Sequence, residues 1–296
     1  MDKLKSYLSA LCCCLLISGT ALAEKIDDEP VAAKSVEAKS VEALVQAQGE
    51  TRRKQIVDDA VDALARTRAA LEALENNDTE AALEGLAVSI GKLELLMARD
   101  PALALAPTGI AMATRDLSGA KGAVHEIIRD AERLLADGQI QAARMLLDGV
   151  ASELVISTTS LPLGTYPEAI KAITPLIDEG KTDEARKALL AVLNTLVVTH
   201  EIIPLPVIRA EAMLSVAESL AGEEERTEEQ EVTMKQAVSA VKEQLELAEL
   251  LGYGKKANYE PFYQQLDGLD SKLNHDESDP GFFNRVRESL SAIWQS

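Results

Sequence analysis

LLADGQIQAARMLLDGVASELVISTTSLPL, residues 134–163, and LIDEGKTDEARKALLAVLNTLVVTHEIIPL, residues 176–205, align without a gap at an offset of 42. The offset carries Gly138 onto Gly180, Ala143-Arg144 onto Ala185-Arg186, and Leu147 onto Leu189. It also carries Leu154 onto Leu196 and Leu161-Pro162-Leu163 onto Ile203-Pro204-Leu205. A fainter copy lies upstream, where Asn77, Ala82 and Leu86 match Gly138, Ala143 and Leu147. Each copy reads as a helix, a short turn and a longer helix, and the second and third stop at an apolar-Pro-Leu triplet. Repeats of this kind form helical-hairpin arrays, because one unit cannot bury its apolar face alone and covers its neighbour's instead. At the triplets, proline ends the helix and the flanking apolar residues cap the core.

The rest of the chain agrees with helix. Val57, Ala60, Val61, Leu64, Leu71 and Leu74 recur at helical spacing. So do Val124, Ile127, Ile128, Ala131, Leu134 and Leu135, and then Ala143, Leu146, Leu147, Val150 and Leu154. Leu189, Val192, Leu193, Leu196 and Val197 form a further stripe, and Met234, Val238, Val241, Leu245 and Ala248 another. Thr165-Tyr166-Pro167-Glu168 and Thr227-Glu228-Glu229-Gln230 have the form of capping boxes. Gly138 and Gly180 sit where one helix stops and the next begins. No stretch alternates with period two for long enough to require a strand. The expected fold is all-α, a helical-hairpin array or bundle with a C-terminal amphipathic helix.

The first 23 residues form a cleavable export signal. Lys3 and Lys5 precede an apolar run from Leu8 to Ile17, and Ala21-Leu22-Ala23 supplies a small-x-small cleavage site before Glu24. The run is too short to span a bilayer of about 30 Å. Leu11 precedes Cys12, where a lipoprotein signal requires a small residue, so the anchored alternative is disfavoured. Cys12, Cys13 and Cys14 leave with the signal, and the remaining chain has no thiol chemistry. Residues 24–51 form an acidic leader rich in Ala, Glu and Lys, in which Lys34-Ser35-Val36-Glu37 is echoed by Lys39-Ser40-Val41-Glu42. It reads as a weak helix or a flexible segment. Residues 52–251 hold the helical repeats, and residues 252–296 form a C-terminal helical extension.

Charge and composition exclude several functions. The whole chain carries a formal charge of −19. Such a surface repels nucleic acid and anionic membrane. The eight aromatic residues after the signal are too few for a base-stacking platform. Unperturbed carboxylates titrate near pH 4, so most of the negative charge is expected to disappear between roughly pH 5 and 3.

Catalytic and metal chemistry are not expected either. His125, His200 and His275 form no His-x-x-x-His or Glu-x-x-His pair. His200 falls on the stripe that begins at Leu189, near a helix C-terminus, where it can cap orphan carbonyls. Ser157-Thr158-Thr159-Ser160 is a hydroxyl cluster with no histidine close in sequence and no nucleophile elbow, and it reads as a helix end. No catalytic, cofactor-binding or metal-ligating residue is assigned, and no cofactor is expected.

The C-terminus holds the candidate partner-binding residues. After Asp279-Pro280, one helix face gathers Phe282, Phe283, Val286, Leu290, Ile293 and Trp294. The face either docks to seal the last unit of the array, or enters a partner's groove or lies at a membrane surface. Arg285 and Arg287 stand beside Glu288 on its polar side, which weakens the membrane version.

The exported start, the Leu-Leu-x-x-Gly-x-x-x-x-Ala hairpins and the paired triplets at 161–163 and 203–205 resemble the YfdX family of bacterial proteins. Leu250-Leu251-Gly252-Tyr253-Gly254 and Gly281-Phe282-Phe283 resemble stretches of its longer members, so the likeness runs from Arg53 to Trp294. It implies a periplasmic, all-helical protein linked to stress responses, acid stress among them, with chaperone-like behaviour proposed for some members. It carries over no catalytic residue. The expected function is therefore a stress-linked periplasmic interaction or holding protein, with proteins as partners, either unfolded clients or further copies of itself. The alternative is a non-enzymatic helical scaffold that binds a small apolar ligand between hairpins.

Overall fold

The computed structural model describes residues 31–117, 121–223, 225–273 and Val286. In chain order the elements are α1 (Val31–Arg53), α2 (Asp58–Glu75), α3 (Thr79–Arg99), β1 (Leu105–Arg115), α4 (Lys121–Ala136), α5 (Ile140–Leu147) and β2 (Glu153–Pro162). They continue with α6 (Tyr166–Lys171), α7 (Thr174–Asp178), α8 (Thr182–Leu193), β3 (Val197–Pro204), α9 (Leu205–Ala221), α10 (Glu228–Leu250) and α11 (Lys256–Leu273). The chain is mostly helical, but the all-α expectation fails at three strands. They form one antiparallel sheet in the order β1-β2-β3.

The repeat explains where the strands fall. Asn77, Gly138 and Gly180 all adopt left-handed backbone, with φ of 60°, 74° and 73°. Each ends its helix with the same pair of hydrogen bonds. Asp78, Gln139 and Lys181 donate N–H to the carbonyls of Ala73, Leu134 and Leu176, at 2.8 Å in every case. Asn77, Gly138 and Gly180 donate to Leu74, Leu135 and Ile177 at 3.0–3.2 Å. This is the Schellman stop, and its recurrence places the faint upstream copy in the same register as the other two. Each unit is thus helix, left-handed turn, helix and strand: α2–α3–β1, α4–α5–β2, and α6/α7–α8–β3. The third opening helix is broken in two because Pro175 cannot donate to the carbonyl of Lys171. Thr174 Oγ1 caps that carbonyl instead, at 2.9 Å.

Two expectations about helix ends are corrected here. Val150, Leu154, Leu196 and Val197 continue the helical stripes on paper, but α5 stops at Leu147 and α8 at Leu193. Both triplets end strands rather than helices, Pro162 closing β2 and Pro204 closing β3. Proline has no N–H for the ladder, and the residue after it resumes the pairing. Leu163 donates to Ala104 at 3.0 Å and Leu205 to Ser152 at 2.9 Å. The flanking Leu161, Leu163, Ile203 and Leu205 are buried, as the capping role requires.

The core has three parts. Hairpins α2–α3 and α6/α7–α8 pack on each other through Leu74, Leu86, Leu93, Ile170, Ile177 and Leu189. One face of the sheet, with Leu154, Ile156 and Ile203, packs against α9 through Leu205 and Ile208. α9, α10 and α11 bury Met213, Leu214, Met234, Val241, Tyr259 and Phe262. The stretch expected as a weak helix or flexible leader forms much of α1, and its stripe is used. Val41, Leu44 and Val45 lie on the sheet cluster, while Val36 reaches the α9–α10 cluster. At α10 the capping box is present as expected, with Thr227 Oγ1 accepting from Gln230 N and Gln230 Oε1 accepting from Thr227 N. Thr165 precedes α6 but makes no side-chain cap.

Candidate functional site: the open sheet face and its edge strand

Alternate residues of a strand face opposite sides of the sheet. On β2, Leu154 and Ile156 turn to the buried side, while Val155, Ser157 and Thr159 turn to the other. Register sets Gly109, Ala111 and Ala113 of β1 and Val198, His200 and Ile202 of β3 beside them. These residues are half-buried or exposed. Val198 and Ile202 are each just over half exposed, at 51% and 53%. β3 is also an edge strand, with no described strand on its far side. Among the described residues the result is an uncovered sheet face with small residues along β1 and aliphatic residues along β3.

The hydroxyl cluster and His200 meet on this face. The ladder pairs Ser157 with His200, and Ser157 Oγ lies 2.9 Å from His200 Nδ1. Neither residue ends or caps a helix, which corrects both sequence-based assignments. Strand pairing across hairpin α6/α7–α8 supplies the histidine that proximity in sequence could not. Among the described residues no carboxylate is hydrogen-bonded to His200 to orient it as in a hydrolytic triad. Neighbouring Glu201 points to the opposite face, where Arg52 of α1 holds its carboxylate. His125 makes only a helical contact, Nδ1 to the Lys121 carbonyl at 3.0 Å. His275 lies outside the described residues. No group of three His, Cys, Asp or Glu side chains among the described residues is arranged to hold a metal.

A polar clasp fixes one end of the sheet. The Tyr253 hydroxyl donates to Glu153 Oε2 at 2.9 Å and accepts from Ser152 N at 3.0 Å. Ser152 Oγ donates to Asp116 Oδ1 at 3.1 Å, and Arg209 Nη2 donates to Asp116 Oδ2 at 2.6 Å. Burial holds the Tyr253 phenol above its ordinary pKa, and the carboxylate of Glu153 adds to the rise. The clasp ties β1, β2 and α9 to the loop after α10, so both ends of the α4–α5 hairpin spring from a fixed base. Repeat periodicity does not point to it, and in the sequence Tyr253 stands out only by its Gly-Tyr-Gly setting.

Of the candidate partner-binding residues, Val286 is fully buried in the α9–α11 cluster and is not a free surface. Phe282, Phe283, Leu290, Ile293 and Trp294 lie outside the described residues. A cleft of about 830 Å³ opens between α1, α9 and α10, lined by Val36, Met213, Val216, Val232 and Ala237, with Thr227, Glu228 and Glu229 also on its wall. Among the described residues no helix is long and apolar enough to cross a membrane.

Comparison with known proteins follows the repeat. Residues 63–202 match the family model described as YfdX protein, a span from within α2 to the sixth residue of β3. That span is narrower than the likeness from Arg53 to Trp294 read in the sequence, and it leaves out α9, α10 and α11. A similar solved structure is that of YfdX from Salmonella Typhi, 16% identical, covering 51% of this chain and 93% of that chain, with a TM-score of 0.35. No curated protein matches. Over residues 63–202, which carry the repeated helix–turn–helix–strand units, this chain matches the YfdX family.

Proposed function

We propose that this protein is a periplasmic, stress-linked holding protein that takes extended segments of unfolded clients on its open sheet face and along β3. The observation that carries the proposal is β3 itself. Its outer backbone groups have no partner strand among the described residues, and Val198 and Ile202 stand exposed beside it. An edge strand of this kind accepts an added strand through main-chain hydrogen bonds, while exposed aliphatic side chains grip alternate client residues. Periplasmic location rests on the signal pattern of residues 1–23, and the acid link on the large carboxylate excess. Losing that charge below about pH 5 removes the repulsion that would keep an acidic chain and its clients apart.

The test is light scattering from a model client acidified between about pH 5 and 2, with an inert acidic protein of equal mass as control. The unaltered chain is expected to suppress scattering. Val198→Lys together with Ile202→Lys is expected to abolish most of that effect with the helical spectrum unchanged. Equal client aggregation with and without the chain at every pH would end the holding proposal. The ligand-scaffold alternative would then lead, with the α1–α9–α10 cleft as the place to look for an apolar ligand.

A further inference from the structure

The buried face of the sheet has two covers of unequal quality. α9 packs with Leu154, Ile156 and Ile203 through Leu205 and Ile208, and nine of its seventeen residues are buried. α1 lies on the same cluster through Val41, Leu44 and Val45, all only partly buried. From Ser35 to Arg53 the one buried side chain of α1 is a carboxylate, Glu37. Gly49 lies inside the helix and weakens it relative to alanine. The polar anchors of α1 are incomplete as well. At one end Gln244 Nε2 of α10 donates to Glu37 Oε1 at 3.1 Å, while Gln244 Oε1 is buried with no hydrogen-bond partner among the described residues. At the other end Arg52 holds Glu201 of β3, and its Nε is buried without such a partner. A buried polar atom left unpaired costs free energy that hydration on opening recovers. α1 thus rests on a well-formed apolar bed with a thin stripe and an unsatisfied atom at each anchor.

We propose that α1 is a displaceable strap, and that its seat between the sheet and α9 takes in its place an amphipathic helix of a partner protein with a basic C-terminal end. The form of the occupant follows from α1. Its contacts at Glu37, Val41, Leu44 and Val45 fall at i, i+4, i+7 and i+8, one face of a helix, which an extended strand does not reproduce. Its charge follows from Glu201, which lies on this face and meets Arg52 from the last turn of α1. A chain of −19 also draws a basic segment toward it. Residues 54–57 tether α1 beside its seat and give it a high effective concentration. A free helix therefore enters only when it fits the bed better than α1 does. The seat lies on the opposite side of the sheet from the open face, so the proposal does not rest on client holding there.

The test uses the full chain with Cys12→Ser, Cys13→Ser and Cys14→Ser, and a fluorescent peptide of residues 31–53 as the helix offered in trans. In hydrogen exchange of the chain alone, amides from Val41 to Gln48 should exchange at least about tenfold faster than those of α9. Leu44→Asp in the chain loosens the strap from a half-buried position. It should tighten peptide binding at least about tenfold, because more of the chain then has its seat open. Arg52→Glu in the peptide should weaken binding by about tenfold, since it sets a carboxylate against Glu201. A Cβ at Gly49 lies 3.8 Å from Met112 Sδ, so Gly49→Cys and Met112→Cys joined by a short bis-maleimide hold the strap down and should abolish binding. A peptide that binds the joined chain as well as the free one would overturn the proposal. So would no binding to the Leu44→Asp chain, an Arg52→Glu peptide that binds equally, or α1 amides as protected as those of α9. The last result is read on unaltered side chains of the fold, so it decides even where a variant fails to fold. Val198→Lys with Ile202→Lys should leave peptide binding unchanged, so this idea and client holding can fail separately.

Discussion

Leu86→Ala and Leu189→Ala should each destabilise the protein by about 2–5 kcal/mol, while Leu147→Ala at the same repeat position should cost no more than about 0.5 kcal/mol. Leu86 and Leu189 are fully buried in one cluster, so truncation removes their transfer energy and leaves a cavity that neighbouring helices fill only partly. Leu147 already meets water over much of its surface. Urea unfolding followed by helical signal measures all three. Similar losses at all three positions would mean that the middle hairpin is packed like its sisters.

The second large effect is alkaline. Tyr166, Tyr253, Tyr259 and Tyr263 are all held above the ordinary phenol value near 10, with burial as the main cause. Tyr259 is pushed up to about 12. Tyr263 rises further because its hydroxyl donates to Glu249 at 2.7 Å and the phenolate would face that carboxylate. A raised pKa means that the folded state favours the neutral phenol. This stabilisation is complete below pH 10, the unfolded value, and is lost as pH rises through the folded values. Near-ultraviolet titration should therefore show almost no phenolate from Tyr253, Tyr259 and Tyr263 at about pH 10–11, then a rise that coincides with loss of helix. Tyr7 is the fifth tyrosine and leaves with residues 1–23 if the signal is cut. Independent ionisation of four phenols near pH 10 with the helices intact would contradict the described burial.

Much of the fold is legible in the sequence, and what is not has a physical cause. The left-handed stops at Gly138 and Gly180 follow from glycine where no other residue fits cheaply, and the offset extends them to Asn77. The strands escape a periodicity reading although β3 is dense in β-branched residues, with Val197, Val198, Thr199, Ile202 and Ile203. A half-buried strand announces itself by alternating apolar and polar side chains. On β3 the exposed positions 198 and 202 are aliphatic too, and the alternation disappears. The feature that hides the strand is the one that leaves aliphatic side chains exposed on its open face. Ser157 and His200 look unrelated in the sequence because their 43-residue separation hides a direct cross-strand pair. Leu147 looks equivalent to Leu189 because a repeat specifies what each unit offers, and only tertiary packing specifies what it meets.

Hydrogen exchange of the full chain at mildly acidic pH, with and without an acid-unfolded client, tests the holding proposal most directly. If clients add to the sheet edge, amides of Val198, Thr199, His200, Glu201 and Ile202 should slow on binding, while those of the α2–α3 hairpin stay unchanged. Client binding that leaves every β3 amide exchanging at its free rate would contradict it.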